Sequence, residues 1–160
     1  MTTKNVLFLG IGNTLLSDEG VGVFLLNEMQ KMNLNPAFKF LDGGTLSFTL
    51  APDIEDTDYL IVLDAAKLNQ TAGSVKTFLD QDMDKFITQG NCSVHEVGIA
   101  DLLDIVRLTE RLPEHRALVG IQPAYMSWGE ELSEEVNNAI PEAINQIIKI
   151  LKYWNIDLNQ

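Results

Sequence analysis

The stretch YLIVLDA, residues 59–65, most constrains what this chain can fold into. It is a nearly continuous apolar run closed by an acid, Asp64. Such a run suits a strand buried on both faces of a parallel sheet. The segments around it keep the same rhythm. NVLFL (5–9) reads as a first buried strand, closed by Gly10 and Gly12. Val21, Phe24, Leu25, Met29 and Met32 then recur at helical spacing until NLNP breaks the pattern. FKFL (38–41) is a second strand running into DGGT, where Thr45 is placed to cap a short helix over LSFTLAPDI.

After the third strand, GSVKTFL (73–79) alternates more and reads as an edge strand. A polar stretch follows, then a helix over 96–109 and a last strand over 116–123, stopped by Pro123. From Ser133 to Trp154, Val136, Ile140, Ile144, Ile147, Ile148 and Leu151 trace one helical stripe. Pro141 either kinks that helix or marks a break just before it. No repeat, low-complexity segment or linker interrupts the pattern. Strands alternating with helices imply an α/β fold, a three-layer αβα sandwich. The expectation is a twisted, mostly parallel sheet of about five strands with helices on both faces. A length of 160 residues fits a single domain, residues 1–160.

Sheets of this kind place ligands beyond the carboxyl ends of their strands. The rule sorts the polar residues. Asp18 and Glu19 lie in the loop after strand one, Asp42 follows strand two, and Asp64 ends strand three. All four are expected at one edge. His95, opening a helix after a loop, is able to reach the same edge.

Composition removes several classes of partner. Lys and Arg number 11 against 23 Asp and Glu, a formal charge of −12, which disfavours nucleic acid and anionic membranes. No apolar run is long enough to cross a bilayer. VLFLGIG near the start is too short, and lacks the cleavage site, for a signal peptide. A single cysteine, Cys92, excludes an internal disulfide. A soluble protein of a reducing compartment is the resulting expectation.

Three chemistries compete for the edge. A dinucleotide site needs Gly-x-Gly-x-x-Gly, but after Gly10 and Gly12 the third position is Leu15, and an acidic pair follows. A cysteine nucleophile could pair Cys92 with His95, three residues on, although a single cysteine is usually a small buried hydrophobe. Metal is the third. Glu19, Asp64 and His95 offer two carboxylates and an imidazole from separated segments, a set that suits a borderline divalent ion such as zinc or nickel. His115, in polar company before a strand, reads as merely packed.

The ordered motifs GIGNTLLSDEGVGV, LDGGT, VLDA, SVHEVGIADLL and LVGIQP, spread from residue 6 to about residue 150, resemble those of the hydrogenase maturation endopeptidases. In that family a carboxylate of the first loop, an Asp after the third strand and a His before a helix hold a divalent metal. They match Glu19, Asp64 and His95. The resemblance implies an endopeptidase, of a family grouped with aspartic-type peptidases, that removes a C-terminal extension from the large-subunit precursor of a nickel–iron hydrogenase. Cleavage would follow nickel insertion, with the precursor's own nickel as the recognition signal and cadmium or zinc able to substitute. Asp42 and Asp18 are candidates for a general base, the alternative being a metal-activated water. Gly43, Gly44 and Thr45 are candidates for contact with the substrate peptide. A cytoplasmic monomer is expected. Where many relatives carry Gln after the His, this chain has Glu96. A non-catalytic nickel-binding or chaperone module of the same fold is the alternative reading, and a dinucleotide-binding domain a weaker one.

Overall fold

In the computed structural model, which describes residues 4–95 and 97–159, the apolar runs become five strands of one sheet. They are β1 (Val6–Ile11), β2 (Phe38–Gly44), β3 (Tyr59–Ala65), β4 (Val75–Leu79) and β5 (His115–Ile121). Their spatial order is β2-β1-β3-β5-β4. The first four of that order run parallel, and β4 pairs antiparallel with β5 at the edge. The helices are α1 (Val21–Lys31), α2 (Ala51–Glu55), α3 (Asp80–Thr88), α4 (Ile99–Leu108) and α5 (Glu134–Tyr153).

Alternation along the central strands decides the layers. Val6, Phe8, Ile61, Leu63, Ala117 and Val119 join the core built with α1 and α5. Their neighbours Leu7, Leu9, Leu60, Val62 and Leu118 join the opposite core with α2, α3 and α4. Successive side chains of a strand point to opposite faces, so a strand with both faces covered must be apolar throughout. Residues 60–65 are all buried, which is why YLIVLDA lacks alternation. The expected three-layer α/β architecture is present, with its five strands.

Two local expectations are corrected and one open alternative is decided. The polar stretch after residue 79 contains α3, which meets the core only through Met83, Phe86 and Ile87. The cap of the turn after β2 is Ser47, whose hydroxyl accepts from Thr49 N–H at 3.3 Å, while Thr45 is exposed. Finally, of the two readings of Pro141 the break is excluded, because α5 continues through it. The carbonyl that the missing N–H leaves free belongs to Asn137, an exposed residue. Val136, Ala139, Ala143 and Ile147 keep packing on both sides of the proline.

The sheet order reverses at β1. The chain moves outward from β1 to β2, then returns across β1 to β3, leaving a crevice beyond the carboxyl ends of β1 and β3. Helix α1 packs very closely there. A Cβ at Gly22 would collide with the carbonyls of Leu63 and Ile11. Gly12, at φ +131°, lies against the Glu19 carbonyl, so its lack of a side chain lets the loop fold back on itself. That contact is made to the chain's own backbone, where a dinucleotide site would keep the approach open for a pyrophosphate.

Candidate active site

The loop after β1 closes in a 3-10 turn, Ser17–Gly20, that treats its two acids differently. Asp18 is fully buried. Its Oδ1 accepts from Ser133 N–H at 2.7 Å, and its Oδ2 accepts from Ser133 Oγ at 2.8 Å and from the N–H groups of Ala124 and Tyr125 at 2.9 and 3.2 Å. Ser133 also caps α5 by accepting from Val136 N–H. Asp18 therefore ties the first loop to the loop after β5 and to the start of α5. With four donors on one carboxylate and no exposed edge, it is built as a structural anchor and not as a general base.

Glu19 is turned the other way, into the crevice. Its Oε1 lies 3.7 Å from His95 Nε2, and the two side chains are 12 and 4 % exposed. Asp64, at the end of β3, is 2 % exposed. The segment before α4 lies along it, because Ala66 bridges Cys92 and Lys67 N–H donates to the Asn91 carbonyl at 2.7 Å. That pairing brings Ser93 onto Asp64. The Ser93 hydroxyl oxygen is 2.7 and 2.8 Å from the two carboxylate oxygens, and Ser93 N–H donates to Oδ2 at 3.2 Å. The same hydroxyl is 2.9 Å from His95 Nε2. With Asp64 ionised, the single hydroxyl proton goes to the carboxylate and Nε2–H donates to Oγ, a tautomer inferred from the network.

Burial dominates the electrostatics. It pushes the Asp64 carboxyl up to about 7, against the pull of the Ser93 hydrogen bonds, and the nearby Glu19 charge adds to the rise. Burial lowers His95, partly offset by Glu19, so the ring is neutral and able to ligate at neutral pH. Cys92 is pushed well above the ordinary thiol range by burial and by the negative charge of Asp64. A thiol so held is protonated and a poor nucleophile.

The structure thus brings Glu19, Asp64 and His95 into one cluster. As they stand, no three His, Cys, Asp or Glu groups among the described residues close around a single point. The Ser93 hydroxyl stands between Asp64 and His95. Two hard carboxylates and a neutral imidazole fit a borderline divalent ion by chemistry, and the three would hold it. Ser93 was not among the candidate residues read from the sequence. Its signal is SVH, because residues two apart in an extended segment project to the same side.

The DGGT turn sits beside this cluster without joining it. Gly12 N–H donates to the Gly44 carbonyl at 2.8 Å, linking the turn to the first loop. Asp42 is exposed, and its Oδ1 accepts from Gly44 N–H at 2.9 Å. Among the described residues it makes no hydrogen bond or ion pair with Glu19, Asp64 or His95. Gly43 packs inward, where a Cβ would lie 2.9 Å from Leu9 Cδ1 and 3.3 Å from the Gly10 carbonyl. Gly44 has φ +49°, and a Cβ there would meet only Asp42 Oδ1, at an ordinary 3.8 Å. Glu96 lies outside the described residues.

Exposed apolar side chains lie on the loops beside the crevice. Leu15, Val94, Tyr125, Met126 and Trp128 are exposed, Val94 and Trp128 by 88 and 82 %. Backbone bonds between Leu15 and Gly129, and between Ser17 and Gly129, hold the loop after β5 against the first loop. A cavity of about 280 Å³, lined in part by Ala66, Cys92, Ser93, Val94, Pro123 and Met126, opens beside Asp64. A larger hollow of about 710 Å³ lies at the opposite end of the strands, near Lys4, Asp58 and His115, away from all of these groups. His115 itself stacks on Tyr59.

A doubly wound α/β domain with a carboxylate–imidazole cluster at its switch point is the class that fold and site define. Comparison with known proteins gives the family. The model of the hydrogenase maturation protease family matches residues 23–150. The chain is 34% identical over 159 residues to the hydrogenase expression/formation protein HupD of Rhodobacter capsulatus, covering 98% of this chain and 76% of that one. It is 32% identical to the hydrogenase 2 maturation protease of Escherichia coli, over 95% of this chain and 93% of the relative. The solved structure of the hydrogenase maturating endopeptidase HybD from E. coli superimposes with a TM-score of 0.88 at 29% identity, covering 97% of this chain and 96% of that one. The chain belongs to the hydrogenase maturation protease family.

Proposed function

We propose that this protein is the endopeptidase that removes the C-terminal extension of a nickel–iron hydrogenase large-subunit precursor after nickel insertion, and that it recognises the nickel the precursor carries. The observation that carries the reading is the meeting of Glu19, Asp64 and His95 in one buried cluster at the carboxyl edge of the sheet. The exposed apolar residues of the loops near the crevice support a macromolecular partner, since large exposed apolar side chains gathered on a few loops suit an interaction site. The negative charge of the chain and the acidic donors favour a cation-bearing substrate.

In this reading Glu19, Asp64 and His95 bind the metal of the precursor and so position the scissile bond. The metal supplies Lewis-acid polarisation of a carbonyl, or activation of water. Because Asp18 is committed to the scaffold, Asp42 is the remaining candidate for a carboxylate base. Selectivity then comes from one ion bridged between two proteins, a contact no unloaded chain can make.

The test is electrophoretic processing of precursor purified from nickel-replete and nickel-starved cells. Shortening of the nickel-loaded precursor alone is the expected result, with casein and short tail peptides left intact. Equal processing of both precursors would overturn nickel recognition. Nickel binding with the precursor's length unchanged would favour a chaperone.

A further inference from the structure

The Ser93 hydroxyl lies between two of the three candidate ligands, Asp64 and His95. Its oxygen lies 2.7, 2.8 and 2.9 Å from Asp64 Oδ1, Asp64 Oδ2 and His95 Nε2. An ion bound by the same atoms would sit at about 2.0–2.2 Å from them. Both cannot fill that space. The hydroxyl also meets the needs of the two groups without a metal. It gives its proton to a buried carboxylate and accepts one from the imidazole, so neither polar group is left unpaired.

We propose that Ser93 is a built-in stand-in for the metal, holding the site closed in the free protein until an ion displaces it. The proposal rests on the reading of Glu19, Asp64 and His95 as ligands. Displacement is local. Serine has one χ1 torsion with three staggered wells, so Oγ can swing out while the backbone stays in place. The Ser93 N–H bond to Asp64, at 3.2 Å, survives that rotation and keeps the carboxylate oriented. An incoming ion must therefore replace hydrogen bonds already made, which weakens the affinity of the free protein for stray divalent cations. An ion that arrives on a precursor, with that protein's own contacts behind it, overcomes the same barrier. The serine thereby sharpens the choice between a loaded substrate and a free ion.

The experiment is calorimetric titration of cadmium and nickel into the metal-free full chain. Wild type is compared with Ser93→Ala, Ser93→Gly and Ser93→Thr, with thermal melts of each metal-free form to confirm folding. Ser93→Ala and Ser93→Gly are expected to bind about tenfold or more tighter, the loss of one charge-assisted hydrogen bond being removed from the binding equilibrium. Both should melt lower than wild type without metal. Ser93→Thr, which keeps the hydroxyl, is expected to stay near wild type. Weaker binding in Ser93→Ala would mean that the hydroxyl ligates or merely orients Asp64, and would overturn the stand-in. Unchanged affinity would overturn it as well. Asp64→Asn separates the two readings: if it abolishes binding while Ser93→Ala changes nothing, the ligand assignment stands and the stand-in fails. Absence of binding in wild type and in every Ser93 variant defeats both.

Discussion

Two buried carboxylates of this protein invite comparison. Asp18 and Asp64 are both almost inaccessible, at 0 and 2 % exposure; Asp18 lies in the loop after β1 and Asp64 within the last residues of β3. Asp18 accepts from Ser133, Ala124 and Tyr125 through four donors drawn from two other segments. Asp64 takes the hydroxyl and N–H of Ser93, with the Ala65 backbone N–H beside them, and it faces the Glu19 charge. A carboxylate with a full set of donors is a joint in the framework. One buried with fewer donors and beside a like charge is held in an uncomfortable state, and a divalent ion would relieve it.

The comparison breaks first at Asp18. Asp18→Ala leaves the buried N–H of Ser133 and those of Ala124 and Tyr125 without their acceptor, and it is expected to lose more than about 3 kcal/mol of stability. Denaturant titration would measure this. A loss below about 1 kcal/mol would show that water replaces the anchor easily.

Asp64→Asn should act in the opposite direction on the metal-free protein. The folded carboxyl titrates near 7, above its ordinary 3.8, so between those values the folded state holds a proton that the unfolded chain has released. The stability Asp64 contributes is thus complete below its ordinary value and is lost as pH rises through about 7. Removing the charge is expected to stabilise by about 2 kcal/mol at pH 7.5 and by little at pH 4, while divalent-ion binding disappears. Melts at the two pH values check the sign, and equal shifts at both would refute the linkage. For the same reason, wild-type affinity for nickel should fall as pH drops below about 7, where a proton competes for Asp64.

The DGGT turn sharpens the contrast at smaller magnitude. Gly43→Val meets Leu9 and the Gly10 carbonyl, so a loss of about 1–3 kcal/mol is expected. Asp42→Asn keeps the turn and should reduce processing without changing metal affinity, read by parallel calorimetry and cleavage assays. Intact processing in Asp42→Asn would leave metal-activated water as the remaining route. The smallest effect belongs to Cys92. Its thiol is held protonated beside Asp64, and Cys92→Ser is expected to process precursor within about twofold of wild type, a rate ratio below about 0.5 kcal/mol. Complete loss of activity in a folded Cys92→Ser protein would restore a thiol mechanism.

Much of the fold was legible because its signals are local. The unalternating YLIVLDA announces a strand covered on both faces, and strand ends mark the edge where Glu19, Asp64 and His95 gather. Helix α3 was not read from the sequence because it is short and mostly polar, although Met83, Phe86 and Ile87 do fall at i, i+3 and i+4 on one face. The antiparallel direction of β4 was likewise open, since alternation shows an edge strand but not its sense.

The site divides in the same way. That Glu19, Asp64 and His95 share one edge could be read from residue type and strand order, because ligand-facing positions of such sheets lie at the carboxyl ends of the strands. What separates Asp18 from its neighbour Glu19 was decided by the tertiary structure alone. Its donors come from Ser133, Ala124 and Tyr125, more than a hundred positions along the chain. Ser93 is the same kind of case. As a letter it is an ordinary serine, and it gains a role only because the segment after α3 lies against the end of β3. Sequence determines which side chains are available at an edge. Which of them are consumed as structure and which are left for chemistry depends on partners remote in sequence, and only the folded chain brings those partners into reach.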